Sequence, residues 1–184
     1  ELLRCLMCTQ TPDTATRMAA EQELQHYSTQ HGFGLALLEI LHSSAIDLEM
    51  RQLAAVLCRH YIDSHWSQYS PGFREPEVLY EHKSAMRDQL INALALESTK
   101  LRTAASMAVA AVAREDMPDL WPDLIPRLIR MLQGGQPAAV HGSMRCLVLV
   151  SEEVRDTQVP YLITYLFPEL YKLLASPEPS EVSA

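Results

Sequence analysis

The chain predicts an all-α protein built as a solenoid of stacked antiparallel helix pairs, and three observations carry that prediction. Helical periodicity runs almost end to end through the 184 residues, with no strict polar and apolar alternation and no Asn-Gly turn to suggest a sheet. The helix around Arg51 to Trp66 is apolar on two flanks. Met50, Leu53, Ala54, Leu57 and Tyr61 form one face, and Ala55, Cys58, Ile62 and Trp66 form a second beside it. A helix apolar over that much of its circumference is packed on two sides, as is the inner helix of a stacked array. Finally, the second helices of the pairs resemble one another. Arg17-Met-Ala-Ala-Glu, Arg51-Gln-Leu-Ala-Ala and Arg102-Thr-Ala-Ala-Ser each set an arginine ahead of small residues.

In order, the pattern places helices at residues 1–9, 13–30, 33–44, 47–66, 76–95, 98–115, 119–133, 136–154 and 158–175. That is four pairs and the first helix of a fifth. Thr11-Pro-Asp, Ser70-Pro-Gly, Met117-Pro-Asp, Gly134-Gly-Gln-Pro and Gln158-Val-Pro fall between helices, several with proline where the incoming helix begins. Trp121-Pro122, with Pro126 four residues on, predicts a bent or late-starting seventh helix. Ala104, Ala105, Ala108, Ala111 and Ala113 let the sixth helix approach its neighbours closely, and aligning Ala105 with Ser143 brings Ala108 onto Cys146 and Val112 onto Val150. The arginines are spaced 34 and then 51 apart. That unevenness suits HEAT-type repeats, with a loop insertion around residues 68–77, better than a regular 34-residue repeat. The expected fold is a right-handed superhelical HEAT-repeat array. In its last helix Leu166, Phe167, Leu170, Leu173 and Leu174 make an apolar face, and residues 176–184 read as a disordered tail or loop.

Apolar residues make up 48% of the chain, enough for a sizeable core. Fifteen Lys and Arg against 23 Asp and Glu leave a net charge of -8, which disfavours phosphate-backbone binding and favours basic partners. Cys5, Cys8, Cys58 and Cys146 sit among apolar helical residues and read as reduced thiols. The longest apolar run, Ala104 to Ala113, falls well short of the ~18 residues of a membrane span. No membrane insertion is expected. The start at Glu1 and the Pro- and Ser-containing end predict a piece of a longer protein.

No enzymatic constellation is legible. There is no nucleophile elbow, no His-Glu-x-x-His and no phosphate-cradling glycine loop, so no catalytic residue and no cofactor is expected. Cys5-Leu-Met-Cys8 has half-site spacing, but lacks a second pair or a histidine at ligand spacing and reads as buried small hydrophobes. His26 with His31 and His60 with His65 are each five apart, which turns the rings to different helix faces, so no metal is expected. Trp66 and Trp121 read as packing residues in preference to peptide anchors.

Three motifs resemble the amino-terminal region of the importin-β, or karyopherin-β, family. Arg17-Met-Ala-Ala-Glu21-Gln-Glu-Leu24 is similar to that family's Arg-x-x-Ala-Glu-x-x-Leu. Phe33 with Leu37-Leu38-Glu39-Ile40 is similar to its next outer helix. Arg51 to Trp66 is similar to its Arg-x-x-Ala-Ala-x-x-x-Lys-Asn-x-Ile-x-x-x-Trp, with Arg59 in the lysine place and His60 in the asparagine place. Trp121-Pro-Asp-Leu124, Ala139-Val-His-Gly142-Ser-Met-Arg145 and Asp156-Thr-Gln158 extend the likeness towards a branch that carries histones.

The resemblance implies a receptor shuttling between cytoplasm and nucleus. Its implied partners are Ran-GTP, nuclear pore proteins, and basic cargo such as core histone dimers and ribosomal proteins. Residues 1–66 then form a Ran-binding region of two repeats, residues 67–154 repeats three and four, and residues 155–175 the first helix of a fifth. The Ran-binding residues expected on the inner helices are Gln22 and Gln25 on the first, Arg59, His60 and Asp63 on the second, and Arg102 on the third, where Ser106 and Val109 share its exposed strip. The competing expectation is a helical-repeat scaffold that binds peptides independently of Ran.

Overall fold

The computed structural model describes residues 1–175, and every regular element among them is helical. The helices are α1 (Leu2–Thr9), α2 (Thr14–Ser28), α3 (Phe33–His42), α4 (Leu48–His65), α5 (Tyr80–Ala93), α6 (Thr99–Asp116), α7 (Leu124–Gln133) and α8 (Pro137–Glu153). A 3-10 turn, Asp156–Gln158, leads into α9 (Val159–Tyr165) and α10 (Phe167–Ala175). The expected disordered tail, residues 176–184, and the side chains of Leu173 and Leu174 lie outside the described residues.

Helix starts follow local chemistry. The Asp13 carboxylate accepts from the Thr16 backbone N–H and begins α2, and Asp47 accepts from the Met50 N–H and begins α4. Pro137 occupies the first turn of α8, where its missing N–H costs nothing. Arg51 and Arg102 act at the other end of the preceding helix. Arg51 Nε donates to the Leu41 carbonyl at the end of α3, and Arg102 Nη1 donates to the carbonyls of Leu96 and Glu97 beyond α5. Arg51 therefore satisfies a carbonyl that the end of α3 leaves open, and Arg102 two carbonyls of the turn that follows α5.

Three expected boundaries shift. The fifth helix begins at Tyr80, four residues later than residue 76, because Arg74 N–H donates to Ser64 O and Val78 N–H to His65 O, holding that segment along the end of α4. The seventh begins late, at Leu124, because Leu120 and Trp121 N–H both turn back onto the Asp116 carbonyl and draw Trp121 into the core. The expected helix 158–175 is broken at Leu166. Pro168 has no N–H to continue the ladder and its ring crowds the preceding turn. The break turns Leu166 inward and leaves Phe167 61% exposed, so the two do not share the apolar face expected of them.

Helices pack in two layers. The second helices form the inner layer, with α4 on α6 and α6 on α8, while α3 with α5 and α7 with α9 run along the outer one. One core runs through both. Trp66, Leu37, Leu38, Leu90, Leu101, Leu124 and Ile125 are among its fully buried side chains. The α6 alanines bring their neighbours close, and Gly142 on α8 sits so near Leu94 that a Cβ there would lie 1.9 Å from the Leu94 oxygen. Trp66 and Trp121 are both buried, in agreement with their reading as packing residues. No described helix is long and apolar enough to cross a membrane.

Candidate functional site on the inner helices

The inner layer presents two grooves. The first, about 290 Å³, lies between α2 and α4 and is lined by Glu21, Gln25, His60 and Ser64 over Leu24 and Leu57. Gln25 and His60, expected in the Ran-binding set, thus meet in one groove, and Gln22 is exposed on the same helix, outside the lining. The second groove, about 210 Å³, lies between α4 and α6, with Val56, Ala104 and Met107 as its apolar lining and Arg59 and Asp63 at its charged end.

Arg59 and Asp63 are not free charges. Arg59 Nε donates to Asp63 Oδ2 at 2.8 Å along α4, and Arg59 Nη1 donates to the Met107 carbonyl on α6 at 2.6 Å. Asp63 Oδ1 faces Arg114 Nη2 at 3.4 Å. Arg114 Nη1 bonds Glu153 Oε2 at 2.9 Å, and Glu153 Oε1 stands 3.6 Å from Arg59 Nη2. The four side chains close a ring of alternating charge that joins α4, α6 and α8. Beyond it, Glu115 bridges Arg114 at 3.1 Å and Arg155 at 2.7 Å.

These contacts govern protonation. Burial is the largest influence on Glu115 and acts to raise its pKa, but hydrogen bonds and attraction from Arg114 and Arg155 together outweigh it and hold the carboxyl below its ordinary value. Burial likewise acts to lower the Arg114 pKa and is outweighed by Glu115 and Glu153, which raise it. At the end of α6, Gln158 Nε2 donates to the Met117 carbonyl at 2.5 Å and to Arg114 O at 3.2 Å, closing carbonyls that the helix terminus leaves open.

The expected strip on α6 is corrected. Arg102 is only 7% exposed and is committed to Leu96, Glu97 and the Thr99 hydroxyl, while Ser106 and Val109 are fully buried. The exposure expected of this strip fails because Arg102 is turned onto the α5–α6 turn and α6 is flanked by α4 and α8, which cover Ser106 and Val109. The exposed residue that α6 presents to the groove is Met107.

Sequence reasoning missed Arg114, Glu153, Glu115, Arg155 and Gln158. A signal for the ring existed in the repeat register. The offset of 51 that carries Arg51 onto Arg102 carries Asp63 onto Arg114, and the offset that carries Ala105 onto Ser143 carries Arg114 to Glu152, beside Glu153. Charge therefore alternates at equivalent places on successive inner helices.

Three of the four thiols are buried and held protonated, and Cys8 is half-buried. Burial pushes Cys58 up to about 12 and raises Cys146 further, while Cys5 is raised by burial and by Glu23 and Cys8, and its Sγ donates to Ala20 O. Among the described residues no group of three or more His, Cys, Asp and Glu could hold a metal ion.

Two layers of antiparallel helix pairs, stacked so that the second helices line one face, define a HEAT-repeat solenoid. Comparison with known proteins is specific about which kind. The importin-β amino-terminal domain model matches residues 20–95, and an exportin 1-like model matches residues 98–165. Importin-9 of Drosophila melanogaster is 27% identical over 167 residues, covering 89% of this chain and 16% of the fly protein. Importin-11 of Mus musculus is 33% identical over 132 residues, 72% of this chain and 13% of the mouse protein. Among solved structures, yeast importin-β (Kap95p) superposes with a TM-score of 0.82 at 20% identity, over 97% of this chain and 22% of that one. Kap95p in a structure with RanGDP, where its binding induces the switch loops to adopt the GTP-bound conformation, gives 0.70 at 22% identity over 81% of this chain and 18% of that one. The chain belongs to the importin-β family, as an amino-terminal region. It spans less than a fifth of the length of these two importins.

Proposed function

We propose that this chain is the amino-terminal part of a nuclear transport receptor and that its first inner helices meet Ran in the GTP form. The observation that carries the reading is the groove between α2 and α4. Gln25 and His60 line it within the span that the importin-β amino-terminal domain model matches, and Gln22 is exposed nearby. Residues 1–66 supply this face, residues 67–154 two further repeats that extend it, and residues 155–175 the start of a fifth. Kap95p, which shares the fold, engages Ran, and this chain offers polar and charged side chains on the corresponding inner helices. Gln22, Gln25 and His60 are hydrogen-bonding groups, and Arg59 and Asp63 are charges 20% and 34% exposed.

A face complementary to the ordered switch segments senses nucleotide without touching it, and cargo linked to the same solenoid is released by mass action. The net charge of -8 favours basic cargo, and the family resemblance adds core histone dimers and ribosomal proteins as cargo, passage past nuclear pore proteins, and shuttling between cytoplasm and nucleus.

Calorimetric titration with Ran carrying a non-hydrolysable GTP analogue, beside Ran carrying GDP, tests the reading. Preference for the GTP form, lost in Gln25→Ala with His60→Ala, is the expected result. Binding indifferent to nucleotide overturns it in favour of a Ran-independent scaffold.

A further inference from the structure

We infer that the Arg59–Asp63–Arg114–Glu153 ring is a salt-sensitive latch that sets the spacing of α4 and α8 and so the bend of the array. The inference goes beyond the reading of Ran recognition and stands without it.

The first argument is topological. α4 and α8 each pack on α6, and the ring reaches over α6 to join them. A link between next-nearest helices of one layer resists opening of that layer in a way that contacts between neighbours do not.

The second concerns the surface being bridged. Along α6 five of the eleven buried residues are alanine, at 105, 108, 110, 111 and 113, and two more are the short Val109 and Val112. Alanine faces offer shallow ridges, and crossing angles between helices are set by ridges fitting grooves. The apolar contact therefore holds α4 and α8 against α6 but defines their rotation about it weakly. Packed helices of this kind move by small shear displacements, and the ring supplies the constraint that the alanines lack.

The third concerns strength. Asp63 and Glu153 lie in the last turns of α4 and α8, where the helix dipole already presents negative partial charge, and Arg59 and Arg114 offset both. All four side chains are 20% to 34% exposed and one contact is 3.6 Å long. Pairs of this exposure are individually weak and are screened by salt. Such a ring holds a conformation without locking it.

The test places spin labels at Gln68, just past α4, and Ser151 on α8, both exposed, in the chain carrying Cys8→Ser, and reads their distance distribution by pulsed electron paramagnetic resonance. At low salt one narrow distribution is expected. Glu153→Gln shifts and broadens it to longer distance, as does ~1 M salt, where the screening length falls to about 3 Å. Salt then adds nothing in Glu153→Gln. Asp88→Asn, which removes an outer-layer pair with Arg127, changes neither. An identical distribution in all of these overturns the latch and assigns the bend to apolar packing alone. Should Glu153→Gln lose its helical circular dichroism, the salt series on the intact ring decides by itself. With no partner present, the outcome is independent of any nucleotide preference.

Discussion

The indole Nε1 of Trp66 donates to Asp116 Oδ2 at 2.9 Å, joining the end of α4 to the end of α6 across 50 residues. The same carboxylate oxygen accepts from Arg87 Nε at 3.0 Å and Nη2 at 2.6 Å. The Arg87 guanidinium in turn lies 5.8 Å from the ring centroids of both Trp66 and Trp121. One buried anion, 3% exposed, organises three helices and both tryptophans.

Asp116→Ala is therefore expected to be among the most damaging single changes. It leaves an indole N–H and a guanidinium without their acceptor in the interior, and breaking a buried pair in that way costs about 3–5 kcal/mol. Urea denaturation checks it, with Trp66→Phe expected to cost less because Arg87 still neutralises the carboxylate.

Gly142→Ala is expected to destabilise through backbone conflict. The added Cβ would lie 1.9 Å from Leu94 O, a backbone atom that cannot step aside without moving the outer layer. Overpacking of this kind costs about 1–3 kcal/mol. Gly34→Ala is the comparison, since a Cβ there meets side chains and not backbone, the end of Met86 at 2.5 Å and the Tyr61 ring at 2.8 Å. A smaller fall in melting temperature for Gly34→Ala than for Gly142→Ala supports the argument.

Gln158→Ala removes the donor that closes the end of α6. The carbonyls of Met117 and Arg114 lose it, and the Arg155 N–H loses its side-chain acceptor. A loss of about 1–3 kcal/mol is expected for buried groups left unpaired, with hydrogen exchange rising first at the carboxy-terminal turn of α6 and at Arg155.

Acid is expected to weaken the fold partly through Glu115. Its folded pKa is depressed, so the stability it contributes is fully present above its unfolded value, about 4.3, and is lost as pH falls through the lower folded one. Urea midpoints measured from pH 7 towards pH 3 should fall, and Glu115→Gln should flatten the acid limb of that profile.

Native thiol reactivity should be confined to Cys8. Cys5, Cys58 and Cys146 are buried with raised pKa values, whereas Cys8 is half-buried. A disulfide reagent at pH 8 should modify Cys8 quickly and the other three only after unfolding. Rapid reaction of all four would mean that the α1–α2 and α6–α8 contacts open freely.

Much of this molecule was legible in its residues. Period and punctuation locate eight helices to within a few residues, and the two apolar flanks of α4 imply neighbours on both sides, because burial of a helix face leaves a direct trace in one segment. The repeated arginines were visible as a motif, but their use was not. Arg102 lies in the same motif as Arg51, and only the packing shows that it is turned onto Leu96 and Glu97 instead of the inner strip.

What the sequence by itself determined was the class of fold, the stacking of the pairs, the packing role of Trp66 and Trp121, and family membership. Those follow from local periodicity and local motifs. The tertiary structure decided the state of the charges. Arg59 and Asp63 meet Arg114 and Glu153 from helices 51 and 90 residues away in sequence, as Trp66 meets Asp116. Ion pairing depends on distances of a few ångströms between side chains distant along the chain, and those distances are set by how closely α4 and α8 settle against the alanines of α6.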